Sequence, residues 1–387
     1  MQSKRIAILV ETALDSGRQI VRGIARFASE RNDWSLFYHT GPLGAMVPAS
    51  LESWDGDGII ARIANNELLD VVRRHQVPVV DVMGNVPEAD YPVVKCDDHA
   101  ISELVINHFT ERGYQHIAFF GLKNEIWSRY RKSALETACQ ERLGSRLHTL
   151  EVGHTDRDAS GWPSYFKKLA SWVESLPKPI GIMVASDQFG PDLLVACRQA
   201  GFTIPDQVSV VGVDNDVPFC EISQPHLSSV EPNHERIGYE AAKMLQKTME
   251  GSPPVQRTVE IPPILLHVRP SSDATALADP VLVKALRYIR QNACLSIGVD
   301  EIAKEAGVSR SVLQRRFRKV LDRTVLEAIL SVRMKRAQEM LTVTDLPLPD
   351  VAERTGFKHQ EYLGYVFKKR IGCTPGQFRA RAKGKSS

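Results

Sequence analysis

Cysteine is scarce and widely spaced in this chain. The six thiols, Cys96, Cys139, Cys197, Cys220, Cys294 and Cys373, form no CxxC pair and no cluster with histidine at zinc spacing. No disulfide framework or metal site is expected, and the thiols read as small core residues in a reduced compartment. Long apolar runs are missing as well, since none approaches the roughly 20 residues that a membrane helix needs. The opening MQSKR passes straight into IAILV without the pattern of a secretory signal, so a cytoplasmic protein with no membrane contact is expected. Also lacking are GxSxG, GxxxxGK(S/T) and a GxGxxG after a strand, the frames of an acyl nucleophile, a phosphate loop and a dinucleotide turn. Neither an enzyme nor a cofactor is expected.

Excess charge is small, +3 over 387 residues, but it is unevenly placed. From 279 to 387 there are 22 Lys and Arg against 11 Asp and Glu, a net of +11, while the preceding part has 27 against 35, a net of −8. One end is suited to meet a polyanion and the other is not. The length calls for two or three domains.

What the sequence does contain is a rhythm. Runs at Arg5–Val10, Trp34–His39, Gly58–Ile63, Val77–Val82 and Val93–Cys96 read as strands, with helices at Gly17–Arg31, Asn66–His75 and His99–Arg112 between them. The pattern restarts at His116–Phe120 and continues to Val208–Val213. Alternation of this kind predicts parallel sheets covered by helices on both faces, and two consecutive windings predict two lobes facing a cleft.

Ligands of open α/β sheets sit beyond the carboxyl ends of the strands. Candidates there are Glu11, Asp15 and Arg18 after the first strand, Asp97 and Asp98 after the fifth, Trp127, Arg129 and Arg131 after the sixth, and Asp187 and Asp214 in the second lobe. A sugar needs donors and acceptors for adjacent hydroxyls and an aromatic face for its C–H side, and this set supplies both. The same residues have plainer uses. Asp97, Asp98 or Asp187 can cap a following helix, Arg129 and Arg131 can lie on a solvated face, and Trp127 can be loop packing. Paired carboxylates also serve glycosidases, so a sugar-modifying enzyme carrying a DNA-binding tail stays open as an alternative. Val184-Ala-Ser-Asp187, Ser209-Val-Val-Gly-Val-Asp-Asn215 and Gly238-Tyr-Glu-Ala-Ala242 resemble the sensor domains of the LacI/GalR family, which share the fold of periplasmic binding proteins. The resemblance covers about Lys4 to Pro270 and implies that Asp187 and Asp214 touch the effector.

The stretch 271–279 is small, polar and unpatterned, a linker between a sensor at 1–270 and a DNA reader at 280–387. Asp279 before Pro280 suits a helix N-terminus. Ala303 and Gly307, four apart, let two helices meet and turn. Ser309 then caps a helix with Val312, Leu313 and Phe317 inward and Arg310, Ser311, Gln314, Arg315 and Arg318 outward. Arg and Gln bond bidentately to guanine and adenine edges. Ala352 and Gly356 repeat the device, and His359–Lys369 forms a second reading helix. Lys358, Gln360, Glu361 and Tyr365 face outward there, while Tyr362, Leu363, Val366 and Phe367 are the apolar positions. An unbroken helix from Val325 to Leu341 would be a strut of roughly 25 Å, suited to a DNA turn of ~34 Å.

The frame from Gly356 to Arg379, GFKHQEYLGYVFKKRIGCTPGQFR, resembles the signature of AraC-type transcription regulators. That implies an operator in double-stranded DNA, with Ser311, Gln314 and Arg315 facing bases in the first unit and Gln360, Glu361 and Tyr365 in the second. Tyr365 departs from the pattern, where many relatives carry Arg, so the second helix is expected either to read weakly or to serve mainly to grip phosphate through Lys368, Lys369 and Arg370. An α/β two-lobed periplasmic-binding-protein-like sensor followed by an all-α AraC-type domain with two helix-turn-helix units is an unusual order. It resembles bacterial regulators of xylose use over nearly the whole chain. The resemblance implies D-xylose as effector, a homodimer, and RNA polymerase as a partner of an activator. The same type of regulator for a different sugar remains open.

Overall fold

The computed structural model describes residues 3–38, 51, 53–153, 156, 161–252, 256–273, 279–295 and 297–382. By contact the chain forms two units, 1–106 with 116–272 and 107–115 with 273–387. Most of the expected linker lies outside the described residues, as does His39 at the end of the expected second strand. Ser271 and Ser272, expected to begin the linker, are instead buried in the first unit. Ser271 Oγ accepts from the Ser228 N–H at 2.8 Å and donates to the Val210 carbonyl at 2.7 Å.

The first unit holds two six-stranded sheets. Strands β1 (Lys4–Leu9), β2 (Trp34–Tyr38), β3 (Gly58–Ala61), β4 (Val79–Asp81), β5 (Val93–Cys96) and β11 (Thr258–Ile261) make the first, in the order β11-β5-β4-β3-β1-β2, with every pair parallel. Strands β6 (His116–Leu122), β7 (His148–Val152), β8 (Ile180–Val184), β9 (Val208–Val213), β10 (Ser228–Glu231) and β12 (Leu265–His267) make the second, in the order β12-β10-β9-β8-β6-β7. There β12 alone is antiparallel to its neighbour. β3, β8 and β9 are buried along their whole length. Their unbroken apolar runs are what a sheet covered on both faces selects.

The lobes are not two consecutive windings. After β10 the chain returns to the first lobe, where α8 (His234–Met249) packs beside α1 (Asp15–Arg31) and β11 pairs with β5. Ile237, Ala241, Ala242 and Leu245 of α8 complete the core that Ile6, Ile8, Ile20 and Ile24 begin. Periodicity shows that a helix has an apolar face, but not which sheet that face will meet. Two glycines permit the close crossing. A Cβ at Gly23 would lie 1.9 Å from the Glu235 carbonyl oxygen, and one at Gly238 would lie 1.9 Å from that of Ile20. In the second lobe, α4 (Ile126–Leu143), α5 (Trp162–Ser175) and α6 (Gly190–Gln199) flank the other sheet, whose core includes Phe120, Leu169, Val184 and Leu193.

Among the described residues from 279 onward the secondary structure is helical. Asp279 accepts from the Val281 and Leu282 N–H groups at 2.9 and 3.4 Å and so caps α9 (Pro280–Asn292). It is followed by α10 (Val299–Glu305), α11 (Arg310–Leu321), α12 (Val325–Val343), α13 (Leu348–Arg354), α14 (Gln360–Ile371) and α15 (Pro375–Ala382). Helix α12 opens with a capping box between Thr324 and Glu327. Its first half gives Ala328 and Ile329 to a core with Leu286, Ile302, Leu313 and Phe317, and its second half gives Met334, Ala337 and Leu341 to a core with Val351, Leu363 and Phe367. Its 19 residues span about 28 Å. Arg333 ties it to the end of α9 by donating to the carbonyls of Ala293 at 2.7 Å and Leu295 at 3.0 Å. Tyr362, expected on the apolar face of α14, is instead 47% exposed, leaving Leu363, Val366 and Phe367 to form that face.

Candidate functional site

Between the two lobes of the first unit lies a cavity of about 410 Å³, within the range of ~300–1,000 Å³ usual for small-ligand sites. Its centre is a buried guanidinium. Arg131, on the second turn of α4, approaches Asp98 at 3.1 Å and Asp214 at 4.0 Å and donates to the carbonyl of Ala185. Burial alone would lower its pKa, but the charges of Asp98 and Asp214 outweigh burial and raise it above the ordinary value. Asp214 also accepts from Ser186 Oγ at 2.8 Å and lies 3.4 Å from His234 Nε2. Burial would raise the Asp214 pKa, yet the bond from His234 and the charge of Arg131 bring it below the usual carboxylate value.

The loop that carries Asp214 is conformationally unusual. Asp214 has φ 112° and Asn215 φ 50°, a backbone that non-glycine residues hold only when their surroundings over-determine it. Those surroundings are explicit. Ser229 Oγ accepts from the Asn215 N–H at 3.0 Å, Arg269 donates to Asn215 Oδ1 at 2.7 Å, and Asp187 accepts from the Asp216 N–H at 2.9 Å. Asp187 is fully buried, and its burial and the charge of Asp214 push its pKa well up.

Across the cavity stands Arg62, directly after β3 and 6% exposed. Its two terminal nitrogens lie 3.4 Å from Ser16 Oγ, its Nε has no hydrogen-bond partner, and burial lowers its pKa. Aromatic and apolar walls complete the space. The Trp127 ring lies 5.5 Å from the Arg131 guanidinium and Tyr130 lies 4.3 Å from Lys95 Nζ; Met83 and Ile237 are on the same lining. Guanidiniums, carboxylates and π faces around one cavity can hold a small polyhydroxyl ring by paired hydrogen bonds and C–H stacking.

A second candidate surface lies on the helical unit. Gly307, with φ 73°, turns the chain between α10 and α11, and Gly356, with φ 79°, does the same between α13 and α14. Ser309 caps α11 by accepting from the Val312 N–H at 3.4 Å. Leu313 and Phe317 are buried while Ser309, Arg310, Ser311, Gln314, Arg315 and Arg318 are exposed. On α14 and the residues just before it, Lys358, Gln360, Glu361, Tyr365, Lys368, Lys369 and Arg370 are exposed. Two helices of matching construction thus present polar and basic faces.

Comparison with known proteins identifies both parts. A family described as "XylR N-terminal domain" matches residues 5–98, one described as "Periplasmic binding protein-like domain" matches 106–272, and one described as "Helix-turn-helix domain" matches 302–381. The "Xylose operon regulatory protein" of Haemophilus influenzae is 31% identical over 392 residues, covering 98% of this chain and 98% of that protein. The chain belongs to this family of DNA-binding transcription regulators. The protein of the same name from Escherichia coli K12 is 28% identical over 97% of this chain and 96% of its own length. A solved structure titled "structure of xylose-binding transcription activator xylR" superposes with a TM-score of 0.63 at 27% identity, covering 98% of both chains. These relatives are regulators, not enzymes. No helix among the described residues is long and apolar enough to cross a membrane.

The structure brings Asp98, Trp127, Arg131 and Asp214 together on the cavity. The other sequence candidates are placed elsewhere for identifiable reasons. Asp97 gives its carboxylate to the Ala100 N–H at 2.9 Å, capping the helix α3 (Asp98–Glu111). Arg18 binds the carbonyls of Thr12 and Ala13 at 2.9 Å and pairs with Asp15. Asp187 lies beneath the lining, and Arg129 faces outward on α4. Glu11 is half-buried and outside the lining. Arg62, Lys95 and His234 were missed. Arg62 follows a strand end and the topological rule could have found it; His234 could not be found, because it reaches the cavity only through the return of α8 to the first lobe.

Proposed function

We propose that this chain is a cytoplasmic, homodimeric transcription activator that binds D-xylose between the lobes of its sensor, 1–270, and reads operator DNA with its helical part, 280–387. The observation that carries the reading is the cavity built on Arg131, Asp98 and Asp214, in a chain that matches xylose operon regulators over 98% of its length. Arg131, Asp214, Asp98 and Arg62 would take the sugar hydroxyls, and Trp127 would face its C–H side. Ser311, Gln314 and Arg315 of α11 would enter the major groove, supported by Ser309 and Arg310. The second helix would contribute Gln360, Glu361 and Tyr365, with Lys358, Lys368 and Lys369 on phosphate. An activator also needs RNA polymerase as a partner. Sugar binding shifts the reader only as far as it prefers one form of the sensor over the other.

Calorimetric titration of the full chain with D-xylose, against L-arabinose, D-ribose, D-glucose and D-galactose, tests this directly, with the samples assayed afterwards for chemical change. Selective saturable uptake of unaltered D-xylose is expected. Selective binding of another of these sugars would replace the effector and keep the regulator, while turnover would make the cavity an active site.

A further inference from the structure

Two helices that begin at the cavity have no cap of their own. Leu14 precedes α1 and Glu125 precedes α4, and neither side chain caps a backbone N–H of its helix; Glu125 accepts instead from the Trp127 indole N–H at 2.9 Å. Each helix is capped from the opposite lobe. Asp216, in the loop after β9 of the second lobe, accepts from the Asp15 N–H of α1 at 2.9 Å. Asn85, in the loop after β4 of the first lobe, accepts from the Ile126 N–H of α4 at 3.0 Å. Asp216 stands at the N-terminus of the short helix α7 (Val217–Ile222) and yet gives that helix no side-chain bond.

Both capping side chains are more than nine-tenths buried, Asp216 at 4% and Asn85 at 8% exposure. Each is also fixed within its own lobe. The Asp216 N–H donates to Asp187 at 2.9 Å, and Asn85 Nδ2 donates to the Ala64 carbonyl at 2.9 Å. The capped helices carry opposite walls of the cavity, Ser16 on α1 and Trp127, Tyr130 and Arg131 on α4. A buried acceptor with no partner is unfavourable, and so is a helix start with no acceptor. Both bonds run between the lobes, so they form together only while these faces of the two lobes meet.

We propose that Asp216 and Asn85 are positioning residues for the effector, reciprocal caps through which each lobe completes a helix of the other and so favours the closed form. This rests on the reading of the cavity as a sugar site. Neither residue lines the cavity, so its loss weakens every sugar by the same factor and leaves selectivity unchanged. One cap removed by alanine should raise the dissociation constant about fivefold to tenfold. Asparagine is as good an N-cap as aspartate, so D216N should stay within about threefold of wild type.

The test uses the full chain as wild type, D216A, D216N and N85A. Amide hydrogen exchange is followed in peptides spanning the first turns of α1 and α4, and D-xylose and D-ribose are titrated by calorimetry. Faster exchange at α1 in D216A and at α4 in N85A is expected, with restored protection in D216N and a constant ratio of the two affinities. Unchanged first-turn exchange, an equal loss in D216N, or an altered sugar ratio would overturn the proposal. Should wild type bind neither sugar, the effector reading fails on its own, and the exchange comparison without sugar still decides the caps. D216N serves as the folded reference where D216A does not fold.

Discussion

Replacing His234 by glutamine isolates the electrostatic joint between α8 and the Asp214 loop. His234 is buried. Burial would lower its pKa, but Cys96 and Asp214 outweigh burial and raise it from 6.5 to about 9. A histidine with a folded pKa above its unfolded one contributes stability that is fully present below pH ~6.5 and is lost as pH rises through ~9. Each pH unit between the unfolded and folded values is worth about 1.4 kcal/mol, so the contribution is at most ~3 kcal/mol. Asp214 has the opposite window, because its folded pKa lies below 3.8: its contribution is present above that pH and lost in stronger acid. Trp34, Trp54, Trp127, Trp162 and Trp172 are the five tryptophans of the chain, and all lie in the first unit. Tryptophan fluorescence in urea therefore follows the sensor and not the reader. Between pH 6 and pH 10 the wild type should lose up to ~3 kcal/mol more than H234Q, with the same denaturant slope. Parallel losses in the two proteins would refute the His234–Asp214 coupling.

Three further outcomes are expected. Gly238→Ala places a methyl group 1.9 Å from the Ile20 carbonyl oxygen and should destabilise the sensor by about 1–3 kcal/mol; an unshifted urea midpoint by tryptophan fluorescence would show that α1 and α8 are not so closely crossed. Arg315→Ala should weaken operator binding by ~1–3 kcal/mol and relax preference at one base pair, which a binding-site selection experiment would detect and an unchanged site profile would contradict. Lys369→Ala should weaken all DNA sequences alike and lower the salt slope by about 1, whereas a loss confined to one base pair would mean that Lys369 reads a base.

Local rules reached a long way into this chain because the local signals agree. Asp279-Pro280, Ser309 and the paired glycines Gly307 and Gly356 mark helix starts and turns by backbone chemistry that needs no distant partner, and these features stand where expected. The alternation of strands and helices likewise gave the α/β layers. Strand-end position was a weaker guide to the cavity. It drew in Asp98, Arg131 and Asp214, but also Asp97 and Asp187, whose carboxylates are used by the backbone around them. A carboxylate after a strand has the same local pattern whether it caps a helix, props a loop or faces a ligand.

The order of elements, the two helices with exposed polar and basic faces and the basic C-terminal part were determined by the sequence alone, since each depends on neighbours within a few turns or on summed charge. The tertiary structure decided the rest. It returned α8 to the first lobe because Ile237, Ala241 and Leu245 complete the core beside Ile20 and Ile24. That return put His234 3.4 Å from Asp214. The meeting of the two lobes paired Asp216 with Asp15 and Asn85 with Ile126. Such pairings join residues 201 and 41 positions apart, and at those separations only the burial of apolar surface across the whole unit can choose the partner.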